Sequence, residues 1–204
     1  MIVHHPQWIR VKELIEAGEI GKVQHVDTAF SYDNSADTGN IRNNAETGGG
    51  GIRDIGVYTY SSVRFATSAE PVDLTARVNT ENGVDTWAQV VGEMDGPTGR
   101  FTYSAMTSMR LPNRQEVVFQ GEKGTITVSA PFNAGVFGVA AILVRDLAGN
   151  IRTELWPRAN QYVIQVENFA RSVATGAEYP CPMEFSRGTQ VMIDRVFAGA
   201  VEIG

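Results

Sequence analysis

Residues 48–58 have the sequence Gly-Gly-Gly-Gly-Ile-Arg-Asp-Ile-Gly-Val-Tyr, and the rest of the chain is organised around this segment. Four consecutive glycines do not suit the middle of a helix or strand, where each costs roughly 0.5–1 kcal/mol relative to alanine. They suit a place where the backbone turns through positive φ or closely approaches another group. The apolar spacing that follows predicts a helix from about Ile52 to Phe65, with one face formed by Ile52, Ile55, Thr59 and Val63.

Asp54 and Tyr58 lie four positions apart, so a helix presents them on a second shared face. A carboxylate and a phenol beside bare backbone form a candidate proton-transfer pair. Two alternatives stay open. Asp54 can simply favour the positive end of the helix while Tyr58 packs in the core. The glycine run can also hold an anion on free N–H groups, although its spacing matches neither common nucleotide-binding fingerprint.

Composition narrows the function classes. The chain has 204 residues, a formal net charge of −6 and a pI near 5.1, and it lacks the basic stripe of a nucleic-acid-binding protein. It contains no apolar run long enough to cross a bilayer, so no membrane partner is expected. The single cysteine, Cys181, predicts a reducing cytoplasm. With only three histidines beside it, no structural zinc site is expected, and a carboxylate-based Mg²⁺ site stays open although nothing in the sequence points to one.

The first third of the chain alternates helix, strand and loop. Ile2 and Val3 suggest the end of a buried strand, and Pro6 to Glu16 predicts a helix that stops before Gly18. Lys22 to Tyr32 alternates as a strand. The polar stretch from Asp33 to Thr47 predicts a long loop, and loops of this length in compact domains are usually functional or disordered. Because it leads into the glycine run, function is favoured.

From about Val72 to Trp156 the hydrophobic period is two, with further strands expected near Val136–Arg145 and Ile151–Trp156. Two helices follow, Gln161–Val173 and Phe185–Val201. The expected fold class is α+β, an open, mostly antiparallel sheet of six or more strands with helices packed on one face. The residues expected to face inward are Tyr162, Val166, Phe169 and Val173 in the first helix, and Met192, Ile193, Val196, Phe197 and Ala200 in the second.

The order of several short motifs resembles one family across nearly the whole chain. They are His5-Pro6-Gln7-Trp8, residues 13–21, Asn40-Ile41-Arg42, the glycine run with Asp54 to Tyr58, Gly121-Glu122-Lys123-Gly124, Pro131-Phe132, Gln161-Tyr162 and Glu167-Asn168-Phe169. This order is similar to the glucose-fructose oxidoreductase / inositol dehydrogenase / MocA (Gfo/Idh/MocA) family. The resemblance implies the C-terminal domain of an NAD(P)-dependent oxidoreductase, with a glyceraldehyde-3-phosphate-dehydrogenase-like sheet. Residues 1–204 would form a substrate-binding and oligomerisation domain whose open sheet face builds dimers or tetramers.

Family members begin with a Rossmann domain that carries a glycine fingerprint and a Glu-Lys-Pro motif, and neither is found in this sequence. By resemblance, residues 1–3 are the stub of that domain's last strand, and the Rossmann domain itself is absent. The full-length enzyme would use NAD or NADP. The expectation for this chain alone is that it binds neither cofactor and has no dehydrogenase activity.

The resemblance also assigns catalytic roles. Tyr58 takes the position of the acid/base group that handles the substrate hydroxyl proton during hydride transfer, and Asp54 would orient the substrate or the missing lysine. A phenol with an ordinary pKa near 10 is a poor base at neutral pH unless a cation or a desolvated hydrogen bond stabilises the phenolate. The implied substrate is a sugar, another polyol or a dihydrodiol.

Further residues are assigned to binding by the same resemblance. Arg42 and Asn40 would contact the substrate, Gln161 and Tyr162 would line the substrate pocket on its nicotinamide side, and His4 and His5 would lie beside the cofactor. Two adjacent histidines are as often only surface polar residues. The alternative for the whole chain is a non-catalytic ligand-binding or self-assembly module.

Overall fold

A nine-stranded sheet forms the centre of the computed structural model, which describes residues 1–203. The strand order across the sheet is β8-β7-β6-β5-β1-β4-β3-β2-β9. The strands are β1 Val23–Asp33, β2 Glu70–Glu81, β3 Val84–Gly96, β4 Gly99–Ser108, β5 Arg110–Gly121, β6 Gly124–Ser129, β7 Ala140–Asp146, β8 Ile151–Trp156 and β9 Ala200–Glu202. The helices are α1 Pro6–Glu16, α2 Val57–Thr67, α3 Gln161–Thr175 and α4 Met183–Ala198, with a π-helical segment Ile52–Gly56 directly before α2.

The sheet is mostly antiparallel, which confirms the predicted fold class. Strands β2 to β4 and β5 to β8 each form an antiparallel meander. The alternation in the sequence did not reveal that β1 inserts between the two meanders, parallel to β4 and antiparallel to β5. The short β9 adds a second parallel pair at the β2 edge.

One face of the sheet is covered by α1, α2 and α4, as expected. Trp8 from α1, Val63 from α2 and Met192 from α4 are fully buried against it. The buried Arg64 ties α2 to α4 because its guanidinium donates to Glu70, to the Phe185 carbonyl and to Thr189 Oγ1. A buried cation needs such partners, since leaving it unpaired is strongly destabilising.

The predicted inward face of α3 is wrong. The side chains of Tyr162, Val166, Phe169 and Val173 are between 56% and 71% exposed. Their helical spacing is real, but α3 makes its main contact with a short 3₁₀ turn at residues 2–4 and does not lie over the sheet. An amphipathic period identifies an apolar stripe without showing what covers it.

Smaller differences concern the ends of elements. Ile2–His4 is a 3₁₀ turn rather than a strand, closed by a hydrogen bond from His4 N to Met1 O, with the side chains of Ile2 and Val3 buried in the core. The strand expected to start at Val136 starts at Ala140. In the last helix Met192, Ile193 and Val196 face inward as predicted, whereas Phe197 is partly exposed and Ala200 belongs to β9.

Within residues 1–203, no helix combines the length and apolar character needed to cross a lipid bilayer. The same part of the chain contains no group of three or more His, Cys, Asp or Glu side chains placed to hold a metal ion.

Candidate active site

The glycine run brings bare backbone against other parts of the same chain. Gly48 and Gly50 have positive φ, at +69° and +110°. A Cβ on Gly49 would lie only 2.8 Å from the Asn44 carbonyl oxygen, and a Cβ on Gly50 would overlap the carboxylate of Asp85. Close approach, predicted from the sequence, is therefore what these positions require.

The glycine N–H groups are already engaged. Gly48 N donates to Ala45 O, Gly49 N donates to Asn44 O, and Gly50 N donates to Arg42 O, each at 3.0 Å. This overturns the anion-cradle interpretation, because N–H groups that are committed to carbonyls do not hold a phosphate.

The helix that follows starts as a π-helix over Ile52–Gly56 and continues as α2. Such wide turns occur frequently at functional sites. Ile52 and Ile55 point into the core, while Asp54 and Tyr58 both line a cavity on the other side. The predicted division of this helix into an apolar and a polar face is therefore correct.

The cavity has a volume of about 450 Å³. Four of the side chains named from the sequence meet in it: Arg42, Asp54, Tyr58 and Tyr162. The complete lining is Phe30, Ser31, Tyr32, Arg42, Asp54, Ile55, Tyr58, Asn113, Gln115, Asn133, Val136, Phe137 and Tyr162.

Aromatic rings form one wall. Phe30 stacks on Phe132 with ring centroids 5.1 Å apart, and the Tyr58 ring lies 5.9 Å from Phe30 and 6.0 Å from Phe132. Packing against these rings restricts the Tyr58 ring, so that its hydroxyl has a defined position.

Asp54 is bonded to Arg42 and Tyr32. Its Oδ2 accepts from Arg42 Nε at 2.7 Å and from the Tyr32 hydroxyl at 2.9 Å. The bond to Asp54 raises the pKa of the Arg42 guanidinium, and burial together with the Asp54 charge raises the pKa of Tyr32. No hydrogen bond joins Asp54 to Tyr58 in the described structure; both side chains line the cavity, and their role as a proton-transfer pair stays a prediction.

Tyr58 holds its proton at neutral pH. Burial raises its pKa above the ordinary value of 10, the neighbouring Tyr162 and Asp54 raise it further, and Arg42 lowers it in part. The hydroxyl is therefore a proton donor in this arrangement, and its conversion to a base requires an additional cation.

Asn40 and Gln161 are hydrogen-bonded to residues that form or adjoin the cavity. Asn40 Oδ1 accepts from Arg42 N at 3.1 Å and so caps the short turn that presents Arg42. Gln161 is buried, and its Nε2 donates to the Phe132 carbonyl at 2.9 Å. In this structure both residues position neighbours of the cavity rather than line it.

His4 and His5 are buried away from the cavity lining. His4 Nδ1 lies 3.1 Å from Asn168 Nδ2 and His4 Nε2 lies 3.1 Å from the Tyr179 hydroxyl, while His5 Nδ1 accepts from Gln7 N and caps α1. Burial lowers the pKa of both imidazoles. As placed here, they join the N-terminal turn to α1 and α3.

Sequence reasoning missed the polar side chains that the sheet contributes. Tyr32 and Ser31 come from the end of β1, and Gln115 comes from β5, where it pairs with Phe30. Phe30 and Tyr32 are two positions apart in β1 and therefore share a face of the strand, but only the pairing of β1 with β5 brings Gln115 beside them.

The long polar loop is fixed by Arg110. Its guanidinium donates to Asn34 Oδ1 at 2.9 Å, to Asn43 Oδ1 at 3.0 Å and to Glu81 at 2.8 Å. These hydrogen bonds hold the loop next to the cavity, where Arg42 pairs with Asp54.

Comparison with known proteins identifies the family. The family model described as GFO/IDH/MocA C-terminal domain matches residues 8–127. The chain belongs to this family. The fold and the family both agree with the resemblance noted from the motifs.

Two curated relatives give the level of similarity. An uncharacterized oxidoreductase of Rhizobium meliloti is 29% identical over 202 residues, and the D-xylose 1-dehydrogenase (NADP(+)) 2 of Haloferax volcanii is 31% identical over 198 residues. Each match covers 96% of this chain and 59% of the relative. The chain thus spans about three-fifths of the length of the curated relatives that it matches.

Solved structures share the fold. KijD10, a 3-ketoreductase from Actinomadura kijaniata in complex with NADP and TDP-benzene, has a TM-score of 0.80 at 22% identity, over 100% of this chain and 62% of that one. The aldose-aldose oxidoreductase from Caulobacter crescentus, complexed with glycerol, has a TM-score of 0.80 at 23% identity, over 94% and 57% of the two chains.

Proposed function

We propose that this chain is the substrate-binding domain of an NAD(P)-dependent oxidoreductase that acts on a neutral sugar or related polyol. The observation that carries the proposal is the Tyr58 side chain in a polar cavity beside the Arg42–Asp54 ion pair. The names of relatives support the reaction class, since one is an NADP-dependent D-xylose dehydrogenase and another is a ketoreductase with NADP bound.

The groups of this chain considered above for contacts with a dinucleotide are engaged by other parts of the chain. The N–H groups of Gly48 to Gly50 are used by carbonyls, and His4 is buried with both ring nitrogens in contact with other side chains. We therefore assign dinucleotide binding to a separate domain of the kind that the greater length of the relatives can accommodate. This chain alone is expected to bind neither NAD nor NADP.

Tyr58 is the proposed proton donor. In the reductive direction its hydroxyl would give a proton to the carbonyl oxygen of the substrate, while a nicotinamide on the separate domain would supply the hydride to the carbonyl carbon. In the oxidative direction the Tyr58 phenolate, stabilised by an added cation, would take the proton back. The aromatic wall fixes the ring, and the Arg42–Asp54 pair offers a donor and an acceptor for substrate hydroxyls in the cavity.

The charges of the cavity favour a neutral ligand. Arg42 and Asp54 are the charged side chains of the lining and neutralise each other at 2.7 Å, while the remaining polar lining consists of hydroxyls and amides. A carboxylate or phosphate on the substrate would have to compete with Asp54 for the guanidinium. A polyhydroxy compound uses the hydroxyls and amides directly.

The test is binding of matched ligands to the chain by protein-detected NMR. We expect a neutral aldose to shift resonances of the cavity lining, and the corresponding aldonate and sugar phosphate to bind at least about tenfold more weakly because Arg42 is already paired. Replacing Arg42 with glutamine should weaken aldose binding about tenfold, since Asp54 then loses its ionic partner.

Arg145→Gln, which changes an exposed arginine on β7, is the matched control and should bind the aldose as the wild type does. Preferential binding of the aldonate or the phosphate would contradict the proposal. Saturable binding of NADP in the same titration would contradict the assignment of the dinucleotide to a separate domain.

A self-assembly role is the second candidate, favoured by the uncovered sheet face. Exposed Val91, partly exposed Met106 and Leu143, and the Asp27–Ser104 hydrogen bond lie on that face. We expect two or four copies to associate through it, which multi-angle light scattering at about 100 µM would detect. A monomer at that concentration would count against the role and leave the binding cavity unaffected.

A further inference from the structure

Asp85 is a buried carboxylate that the chemistry described above does not use. It is the second residue of β3 and is 5% exposed. Its Oδ2 accepts a hydrogen bond from Ile52 N at 2.7 Å, across 33 positions of sequence. The N-cap residue of the π-helical segment is Gly51, which has no side chain to cap it, so Asp85 supplies the acceptor that this helix start needs.

The glycine run makes room for this carboxylate. A Cβ on Gly50 would overlap Asp85 Oδ1, and a Cβ on Gly51 would lie 3.3 Å from Oδ2. The glycine run therefore lacks side chains at the point where the Asp85 carboxylate packs against it. The group that the backbone approaches so closely is a side chain of this protein and not a nucleotide.

Gly50, against which Asp85 packs, also connects two parts of the cavity. Gly50 N donates to the Arg42 carbonyl at 3.0 Å, and Gly50 O accepts from Asp54 N at 3.2 Å. The backbones of Arg42 and Asp54 thus meet at Gly50, while their side chains pair at 2.7 Å in the cavity. A shift of Gly50 would move both.

We propose that Asp85 is a positioning residue for the candidate active site, where its carboxylate holds the glycine run and thereby sets the Arg42–Asp54 pair in place. The proposal rests on the proposed function of that cavity. Asp85 itself does not line the cavity and acts through Gly50 and Ile52.

The ionisation of Asp85 falls in an accessible pH range. Burial raises its pKa to about 6, against the effect of the N–H groups of Ile52, Asp85 and Gly51 and of the Arg53 guanidinium. The buried Tyr60 of α2 has a pKa that is raised first by burial and then by Tyr103 and by this carboxylate. Above pH 6 the bond to Ile52 N is charge-assisted and strong, and below pH 6 it becomes a weaker neutral bond.

The ionisation of Asp85 that strengthens its bond to Ile52 N lowers the stability of the folded chain. A carboxyl whose pKa is raised on folding contributes stability that is fully present below its ordinary pKa, near 3.8, and that is lost as the pH rises through about 6. Stability and site geometry should therefore respond to pH in opposite directions. A purely structural role of Asp85 would give only the first response.

The first measurement uses the wild-type chain. We expect the Asp85 carboxyl carbon, the Ile52 amide and the Arg42 side-chain N–H to titrate in NMR spectra with a common midpoint near pH 6. Aldose affinity should fall about fivefold to tenfold between pH 7.5 and pH 5, as the charged hydrogen bond becomes neutral.

The second measurement compares Asp85→Asn with Asp73→Asn, which changes an exposed aspartate on the neighbouring strand β2. D85N should bind aldose at pH 7.5 about as weakly as the wild type does at pH 5, and its affinity should no longer depend on pH. D73N should keep the affinity and the pH dependence of the wild type. Titration of Asp85 without movement of the Ile52 and Arg42 signals would overturn the proposal, as would a wild-type binding profile in D85N.

If D85N does not fold, the titration of the wild-type chain still tests the positioning role of Asp85. Coupled titration of Asp85, Ile52 and Arg42 without any aldose binding would reject the proposed function and retain the positioning role. Aldose binding in a chain whose Ile52 and Arg42 signals do not follow the titration of Asp85 would reject the positioning role and retain the proposed function.

Discussion

Replacing Tyr58 with phenylalanine is expected to lower kcat by about 10²- to 10⁴-fold, because the variant keeps the ring and loses the proton donor. The ring is held by Phe30 and Phe132, so the aromatic wall should remain intact. The measurement is steady-state turnover of an aldose or ketose by the oxidoreductase in which this domain is joined to a dinucleotide-binding domain.

Tyr179→Phe is the matched control. It removes the same hydroxyl from a tyrosine that contacts His4 outside the cavity, and it should leave kcat within about threefold of the wild type. Aldose binding by the Tyr58→Phe chain should also stay within about threefold, which separates loss of chemistry from loss of the site. Unchanged kcat in Tyr58→Phe would remove Tyr58 from the mechanism.

Replacing Gly50 with alanine is expected to destabilise the chain by about 3–5 kcal/mol. Two causes add, because φ of +110° is strained for any residue with a Cβ and the new methyl group would overlap the buried Asp85 carboxylate. The measurement is the free energy of unfolding in urea at pH 7.

Gly149→Ala isolates the contribution of Asp85. Gly149 also has positive φ, +87°, but a Cβ there meets no other atom within 4 Å, so the substitution should cost only about 1–2 kcal/mol of backbone strain. Equal losses in the two variants would mean that the contact with Asp85 contributes nothing. A larger loss at Gly50 would show that the carboxylate occupies the space that the glycine leaves.

The local part of this site could be predicted from the sequence. Helical spacing alone placed Ile52 and Ile55 in the core and put Asp54 and Tyr58 together on another face. The need for close approach at the glycines followed from their lack of Cβ. These properties depend on residues a few positions apart, where the geometry of the chain leaves few choices.

The partners of these residues could not be predicted. Asp85 reaches Ile52 across 33 positions, and Gln115 enters the cavity only because β1 pairs with β5. Hydrophobic alternation is the same for every register of a strand that keeps its apolar face inward, so it does not specify which strand lies beside which. For the same reason the apolar period of α3 was found, but its exposure, with Phe169 at 61%, was not.

The insertion of β1 between the two meanders has a consequence for how the chain folds. β4 and β5 are separated by one residue, Met109, yet β1 lies between them and pairs with residues about 77 positions later, as His25 does with Thr102. During synthesis, β1 therefore has neither of its neighbours in the sheet until β4 has left the ribosome. Meanwhile β4 and β5 are free to form a hairpin that excludes it. The middle of the sheet is therefore a place where the nascent chain is open to mispairing.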